Sequence, residues 1–233
     1  MMPCTLEHPY QSGRHDDGEP LRPGGLELTT RAIQCAGFTA GEHVLDLGCG
    51  DGVGAKLLAR HGLSVIALDR SCTRLGEAAH RHQALAAVAA DARWLPLADN
   101  SVDGVFAECS LSLAGYNQAT LGECHRALRP GGRLAITDVF ARHEDPERAP
   151  LPGCLAGLIS RGEILAAMAA AGFVVQRWED HSDVLKSFLA QLIFSGRGRE
   201  ALWTGDGSAF AAALRACRPG YFLMIAAKPV KSA

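Results

Sequence analysis

Val44-Leu45-Asp46-Leu47-Gly48-Cys49-Gly50-Asp51-Gly52 decides the reading of this chain. Residues 43–47 are an apolar run of strand length, and three alternating glycines follow at once. Residues 52–61 then read as a helix that stops near Gly62. Glycines without a Cβ let the chain turn tightly and let a ligand approach the main chain. The helix start behind them offers unpaired N–H groups. The segment predicts a strand–loop–helix ligand site.

Outward from it, apolar runs alternate with helical patterns. Residues 63–69, 84–91, 102–109, 133–140, 173–180 and 221–229 read as further strands. Residues 72–82, capped by Ser71, and 117–128, 160–171, 182–195 and 209–217 read as helices, and Arg129-Pro130-Gly131-Gly132 reads as the stop of the second of these. A turn at Arg22-Pro23-Gly24-Gly25 leads into one more helix with Thr29 or Thr30 near its start. Such alternation predicts an α/β fold, a mainly parallel sheet with helices on both faces. Ligands then lie outside the carboxyl ends of the strands, at the topological switch point. Candidate positions are 46–52, 69–71, 91–94, 108–110 and 138–140. Residues 1–20 read as a polar tail, 21–233 as one domain, and 182–218 as a cap inserted before the last strand.

The loop suits a dinucleotide or a ligand with a positive amino group. The dinucleotide pattern from Gly48 needs glycine at position 53, which is Val53. The shifted frame Gly50-x-Gly52-x-x-Ala55 starts three residues past Leu47. Asp46 at the strand end suits a cation better than a pyrophosphate. Asp69 follows Asp46 by 23 residues, enough for one helix and a return strand, and a carboxylate there is an acceptor for two ribose hydroxyls.

Asp46-Leu47-Gly48-Cys49-Gly50-Asp51-Gly52 resembles motif I of class I S-adenosylmethionine-dependent methyltransferases. Asp69, with Arg70 beside it, matches that family's ribose carboxylate. Asp91-Ala92 matches the pair near the adenine amino group. Leu95-Pro96-Leu97, Asp99, Ser101, Val102 and Asp103 match the stretch before strand four, and Leu128 to Leu134 the turn before strand five. The resemblance covers residues 20–230 and implies a Rossmann-like seven-stranded sheet with the last strand antiparallel. It implies S-adenosylmethionine as cofactor, held by Asp46, Gly48, Cys49, Gly50, Gly52, Asp69, Arg70, Asp91, Ala92 and Glu108. It also implies methyl transfer to a small molecule, and a lid at Arg22–Gly25.

In-line methyl transfer needs position and electrostatics more than a fixed catalytic motif. Glu108, Asp138 and His181, at or just after strand ends, are candidate acceptor contacts or bases, His181 with the alternative of a turn residue beside a helix cap. Ser182 or Asp183 is expected to cap the helix that follows. Trp94 and Trp178 read as packing residues. Leu151 to Ile159 resembles a segment of arsenite methyltransferases, which makes Cys154, with Cys109, a candidate thiol site for a soft acceptor.

The 233 residues, 48% hydrophobic and 21% charged, are globular in balance. A net charge of −2 and scattered basic residues argue against nucleic acid. Glu108-Cys109-Ser110-Leu111 stands where enzymes acting on base amino groups often carry an Asn/Asp-Pro-Pro-Tyr motif. The absence of an apolar run near ~20 residues and of a signal peptide predicts a cytoplasmic protein with no membrane partner and reduced thiols. Without Cys-x-x-Cys no metal site is expected. The chain as a whole resembles bacterial methyltransferases. A nicotinamide oxidoreductase and a non-catalytic cofactor-binding partner protein are the readings from other classes. The methyl acceptor and the oligomeric state stay open.

Overall fold

The computed structural model describes residues 22–82, 85–143, 155, 157–194, 212 and 214–230. The elements are α1 (Gly25–Ala36), β1 (His43–Leu47), α2 (Val53–Arg60), β2 (Ser64–Asp69), α3 (Cys72–Arg81), β3 (Ala86–Ala89), β4 (Val102–Glu108), α4 (Leu111–Ala114), α5 (Gln118–Ala127), β5 (Leu128–Ala141), α6 (Arg161–Ala170), β6 (Val174–Asp180), α7 (Ser182–Phe194) and β7 (Pro219–Ala227). Seven strands form one sheet in the order β3-β2-β1-β4-β5-β7-β6. Only β7 runs against its neighbours, pairing antiparallel with β5 and β6. The fold is the expected α/β, Rossmann-like one.

The central strands are continuous apolar runs because both faces are covered. On one face Val44, Phe106, Ala135 and Tyr221 pack with α1, α2 and α7 through Leu28, Ile33, Leu58, Leu185 and Phe188. On the other, Leu45, Leu47, Val105 and Ile136 pack with α4, α5 and α6 through Leu111, Leu121, Cys124, Ile164 and Met168. The chain winds outward from β1 through β2 to β3, then returns to place β4 on the other side of β1. That reversal opens the crevice between the carboxyl ends of β1 and β4.

Local chemistry sets the helix starts. Ser71 Oγ accepts from Arg74 N–H at 3.3 Å, and Ser160 and Glu163 form a reciprocal capping box. Helix α1 begins earlier than expected, behind Gly24, so Thr29 and Thr30 lie within it and bond back to the carbonyls of Gly25 and Leu26. At α7 the start is held by Asp180, whose Oδ1 accepts from Ser182 N–H at 2.8 Å, while Asp183 pairs with Lys186. Arg129–Gly132 ends α5 but also joins β5, because Gly131 N–H and Gly132 C=O pair with Lys228. Strand β3 shrinks to Ala86–Ala89, a short edge of small side chains.

The expected tail at 1–20 and Cys154 lie outside the described residues, as does all of 195–211. Of the 182–218 stretch, α7 packs on β7 through Leu185 and Phe188, and 214–217 is helical.

Candidate active site

The ends of β1, β2, β3 and β4 surround a cleft of about 270 Å³. Its walls are Leu47 and Gly48, Leu68 to Ser71 with Arg74, Ala90 to Arg93, and Cys109, Ser110, Leu113 and Ala114. Gly48 has φ +76°, and a Cβ built on it would lie 2.6 Å from Ser110 Cβ. Glycine is therefore required where the motif loop passes β4's exit. Asp69 locks the same loop from the other side. Its Oδ2 accepts from Gly50 N–H at 2.9 Å and its Oδ1 from Ser71 N–H at 2.8 Å. Each carboxylate oxygen keeps a second acceptor direction for a ligand in the cleft.

Asp91 is turned by Arg93, whose Nε and Nη2 donate to it at 2.9 and 2.7 Å. Those bonds hold the Asp91 carboxyl down at about 2. Trp94, expected as packing, stands 76% exposed outside the cleft. Arg74 reaches across the glycine loop, with Nη1 3.6 Å from where a Gly50 Cβ would sit.

Beside the cleft, under the start of α2, lies a buried charged cluster. Arg22 Nη1 pairs with Glu108 Oε2 at 2.8 Å, and Arg22 Nη2 donates to Thr29 Oγ1. Thr29 Oγ1 also bonds Glu108 Oε1 at 2.9 Å. A Cβ on Gly54 would be 3.3 Å from both Asp46 Oδ2 and Glu108 Oε2. Burial, and then the Glu108 charge, push the Asp46 carboxyl up to about 8. Burial raises Glu108 too, against the pull of Arg22. Two buried polar atoms in this cluster have no hydrogen-bond partner, Arg22 Nε and Asp46 Oδ2. One is a guanidinium N–H donor and the other a carboxyl oxygen.

At the β4 exit Cys109 adopts φ +48°, a left-handed turn rare for a residue with a side chain. Its Sγ lies 2.8 Å from Tyr221 Oη. Tyr221 Oη bonds Thr137 Oγ1 at 3.4 Å, and Thr137 Oγ1 bonds Glu108 Oε1 at 3.4 Å.

A methyltransferase-domain family model matches residues 45–136. A demethylmenaquinone methyltransferase of Beutenbergia cavernae is 31% identical over 175 residues, 75% of this chain and 71% of that protein. The chain belongs to the class I S-adenosylmethionine-dependent methyltransferases. A trans-aconitate 2-methyltransferase of Paracidovorax citrulli is 37% identical over 138 residues, 58% of this chain and 51% of that protein. Among solved structures, the [4+2]-cyclase SpnF superposes with a TM-score of 0.70 at 25% identity, covering 98% of this chain and 88% of that one. The cofactor of this methyltransferase is S-adenosylmethionine, and its reaction is methyl transfer.

The structure brings Gly48, Asp69, Arg70, Asp91, Ala92 and Cys109 together at the cleft, with Asp46 and Glu108 in the adjoining cluster. It does not bring Asp138 or His181 there. Asp138 is fully buried, and its oxygens accept from the N–H groups of Ser112 and Val139 and from Tyr116 Oη. It closes the start of α4, which corrects its reading as an acceptor contact. His181 is turned toward Glu179, 3.0 Å from Nε2, in a network with Arg31 and Arg177. That corrects its reading as a base at the cleft; it sits beside the start of α7. Cys49 is buried and is not among the residues that line the cleft; burial drives its thiol pKa upward. Ser110 fell within the expected positions 108–110, whereas Arg74, Tyr221 and the Arg22 pairing carried no sequence signal, because each depends on contacts between distant elements.

Proposed function

We propose that this methyltransferase holds its cofactor along the cleft, with ribose at Asp69, adenine beside Asp91 and Ala92, and the amino-acid end between Arg22 and Asp46. The observation that carries this reading is the pair of orphaned buried atoms, Arg22 Nε and Asp46 Oδ2. An α-amino acid end supplies an acceptor for the Arg22 Nε–H, which the Glu108 and Thr29 contacts leave unmet, and an ammonium donor for Asp46 Oδ2. When bound, the cofactor supplies an electrophilic methyl group on a sulfonium. The chain's own residues fix position. Asp69 anchors the glycine loop, Glu108 fixes Arg22, and the Gly48–Ser110 contact sets the distance between the β1 and β4 exits. Leu113 and Ala114 of α4 give the cleft an apolar side.

The acceptor in this reading is a small organic molecule entering past Cys109, in keeping with relatives named for menaquinone precursors and trans-aconitate. An arsenite methyltransferase of Halobacterium salinarum is 33% identical over 151 residues but only 39% of its length is matched. Cys109 is among the residues that line the cleft, which is what a thiol-dependent alternative would need of it. Calorimetric titration tests the cofactor placement. S-adenosylhomocysteine should bind at micromolar Kd, and Arg22→Met should weaken it at least tenfold. Equal binding by the variant would remove Arg22 from the site, and NADH binding in its place would overturn the reading.

A further inference from the structure

Short helix α4 carries two residues of the cleft wall, Leu113 and Ala114. Leu113 is 38% exposed. So short a helix is not held in place by its own hydrogen bonds. Its entry and exit turn on left-handed backbone, Cys109 at φ +48° and Gly115 at φ +97°. What fixes it is a grip on one buried residue, Ser112. Ser112 N–H donates to Asp138 Oδ2 at 2.8 Å. Tyr116 Oη, just past the end of α4, donates to the same oxygen at 3.3 Å. Asp138 Oδ1 accepts from Val139 N–H at 2.8 Å, which sets the carboxyl on β5. From another side, a Cβ built on Gly157 would overlap Ser112 C=O. Only glycine lets the segment ahead of α6 pass so close to α4. That segment is tied to β5 in its turn, since Ala141 N–H donates to Ile159 C=O at 2.9 Å.

We propose that Asp138 and Gly157 are positioning residues for this methyltransferase: together they clamp Ser112, and so hold Leu113 and Ala114 as a fixed wall against which the cofactor closes. Neither Asp138 nor Gly157 is among the residues that line the cleft, so both act through α4. The clamp uses one peptide-linked residue at both of its polar ends, the N–H held from β5 and the C=O covered from the segment before α6. A wall already in place spares the ligand the entropy of ordering it on binding. The same clamp gives buried Asp138 a task, although it has no contact with the ligand itself. The inference rests on the cofactor lying in this cleft, as in the reading above.

Native-state hydrogen exchange and calorimetric titration with S-adenosylhomocysteine, run on the same samples, test the clamp. Asp138→Asn keeps the side-chain volume, but its amide N–H must face either Ser112 N–H or Val139 N–H, donor against donor. Gly157→Ala pushes on Ser112 C=O and leaves Asp138 intact. In both variants the peptide spanning residues 109–117 should exchange faster than in the wild type, while peptides from β1 and β2 keep their rates. The Kd for S-adenosylhomocysteine should rise roughly 2- to 30-fold in each. Because both substitutions release the same element, the double variant should bind about as well as the weaker of the two single variants. Tyr116→Phe removes one donor to Asp138 and should move both readouts the same way by a smaller factor. It takes the place of Asp138→Asn in the cycle if that variant does not fold. Wild-type exchange at 109–117 in the variants would show that nothing clamps α4. Faster exchange there with an unchanged Kd would show that the ligand does not use this wall, and additive losses in the double variant would show two separate routes. Each of these outcomes overturns the proposal. Arg22→Met reports on the cofactor's amino-acid end instead, so equal binding by that variant sinks the placement above and leaves the clamp standing.

Discussion

Arg22 Nη1 lies 2.8 Å from Glu108 Oε2, so a buried ion pair ties the segment ahead of α1 to the exit of β4. Removing one partner of such a pair strands the other charge without solvent, which costs about 3–5 kcal/mol. Arg22→Met keeps the apolar stem and removes the charge. Its denaturant midpoint should fall accordingly, and the double variant Arg22→Met/Glu108→Gln should recover most of the loss. Additive losses in the two single variants would show that the residues do not act as a pair.

Asp46 gives stability a pH dependence of defined sign. Its carboxyl sits at about 8 in the folded chain, against roughly 3.9 for an ordinary aspartate. Between those values the folded chain holds a proton that the unfolded chain has released, so stability falls as pH rises through that window. Asp46→Asn has no proton to lose. Its Tm should match the wild type near pH 4 and exceed it at pH 8. A cation bound at Asp46 favours the ionised form, so S-adenosylhomocysteine affinity should rise toward pH 8 in the wild type and stay level in the variant. Parallel Tm curves for the two proteins would place the Asp46 pKa elsewhere.

Gly48 tests the contact between the β1 and β4 exits. Alanine there meets Ser110 Cβ at 2.6 Å on a backbone with φ +76°. Overpacking and a left-handed alanine each cost about 1–3 kcal/mol. Gly48→Ala should lower Tm and weaken cofactor binding, and Ser110→Gly in the same chain should restore part of both. No rescue by Ser110→Gly would assign the whole loss to backbone strain.

Most of the sheet was legible because its strands are buried on both faces and read as unbroken apolar runs. HVLDL at 43–47 matched β1 residue for residue. The antiparallel β7 came from the family likeness, since an apolar run carries no direction. Legibility failed where long-range pairing overrides local signals. Arg129–Gly132 has turn composition, yet its peptides pair with Lys228 and become part of β5. Asp69 was readable as a strand-end carboxylate at the right spacing. Asp138 had the same appearance, and only the fold shows its oxygens turned to Ser112 and Val139. Trp94 read as a packing residue and is exposed. Arg22 pairs across 86 positions with Glu108, and no local pattern marks a pairing of that span.

Asp69 serves two tasks, and its variants can separate them. One is structural, since it accepts from Gly50 and Ser71 N–H groups and so joins the motif loop to the β2 exit. The other, in the proposed placement, is to accept from the ribose hydroxyls. Asp69→Ala abolishes both tasks and mixes their effects. Asp69→Asn keeps one acceptor oxygen and turns an amide donor toward one of the two N–H groups, so the loop loosens while the packing volume stays. A hydrogen bond to a charged group contributes about 1.5–3 kcal/mol, which predicts a Kd for S-adenosylhomocysteine raised roughly 10- to 100-fold in Asp69→Asn. The ribose task is isolated by comparing adenosine with 2′-deoxyadenosine on each protein. The wild type should prefer adenosine, and Asp69→Asn should lose most of that preference even where its overall affinity has dropped. If the wild type binds both nucleosides equally, Asp69 holds the loop and not the ribose, and the cofactor's sugar must lie elsewhere along the cleft.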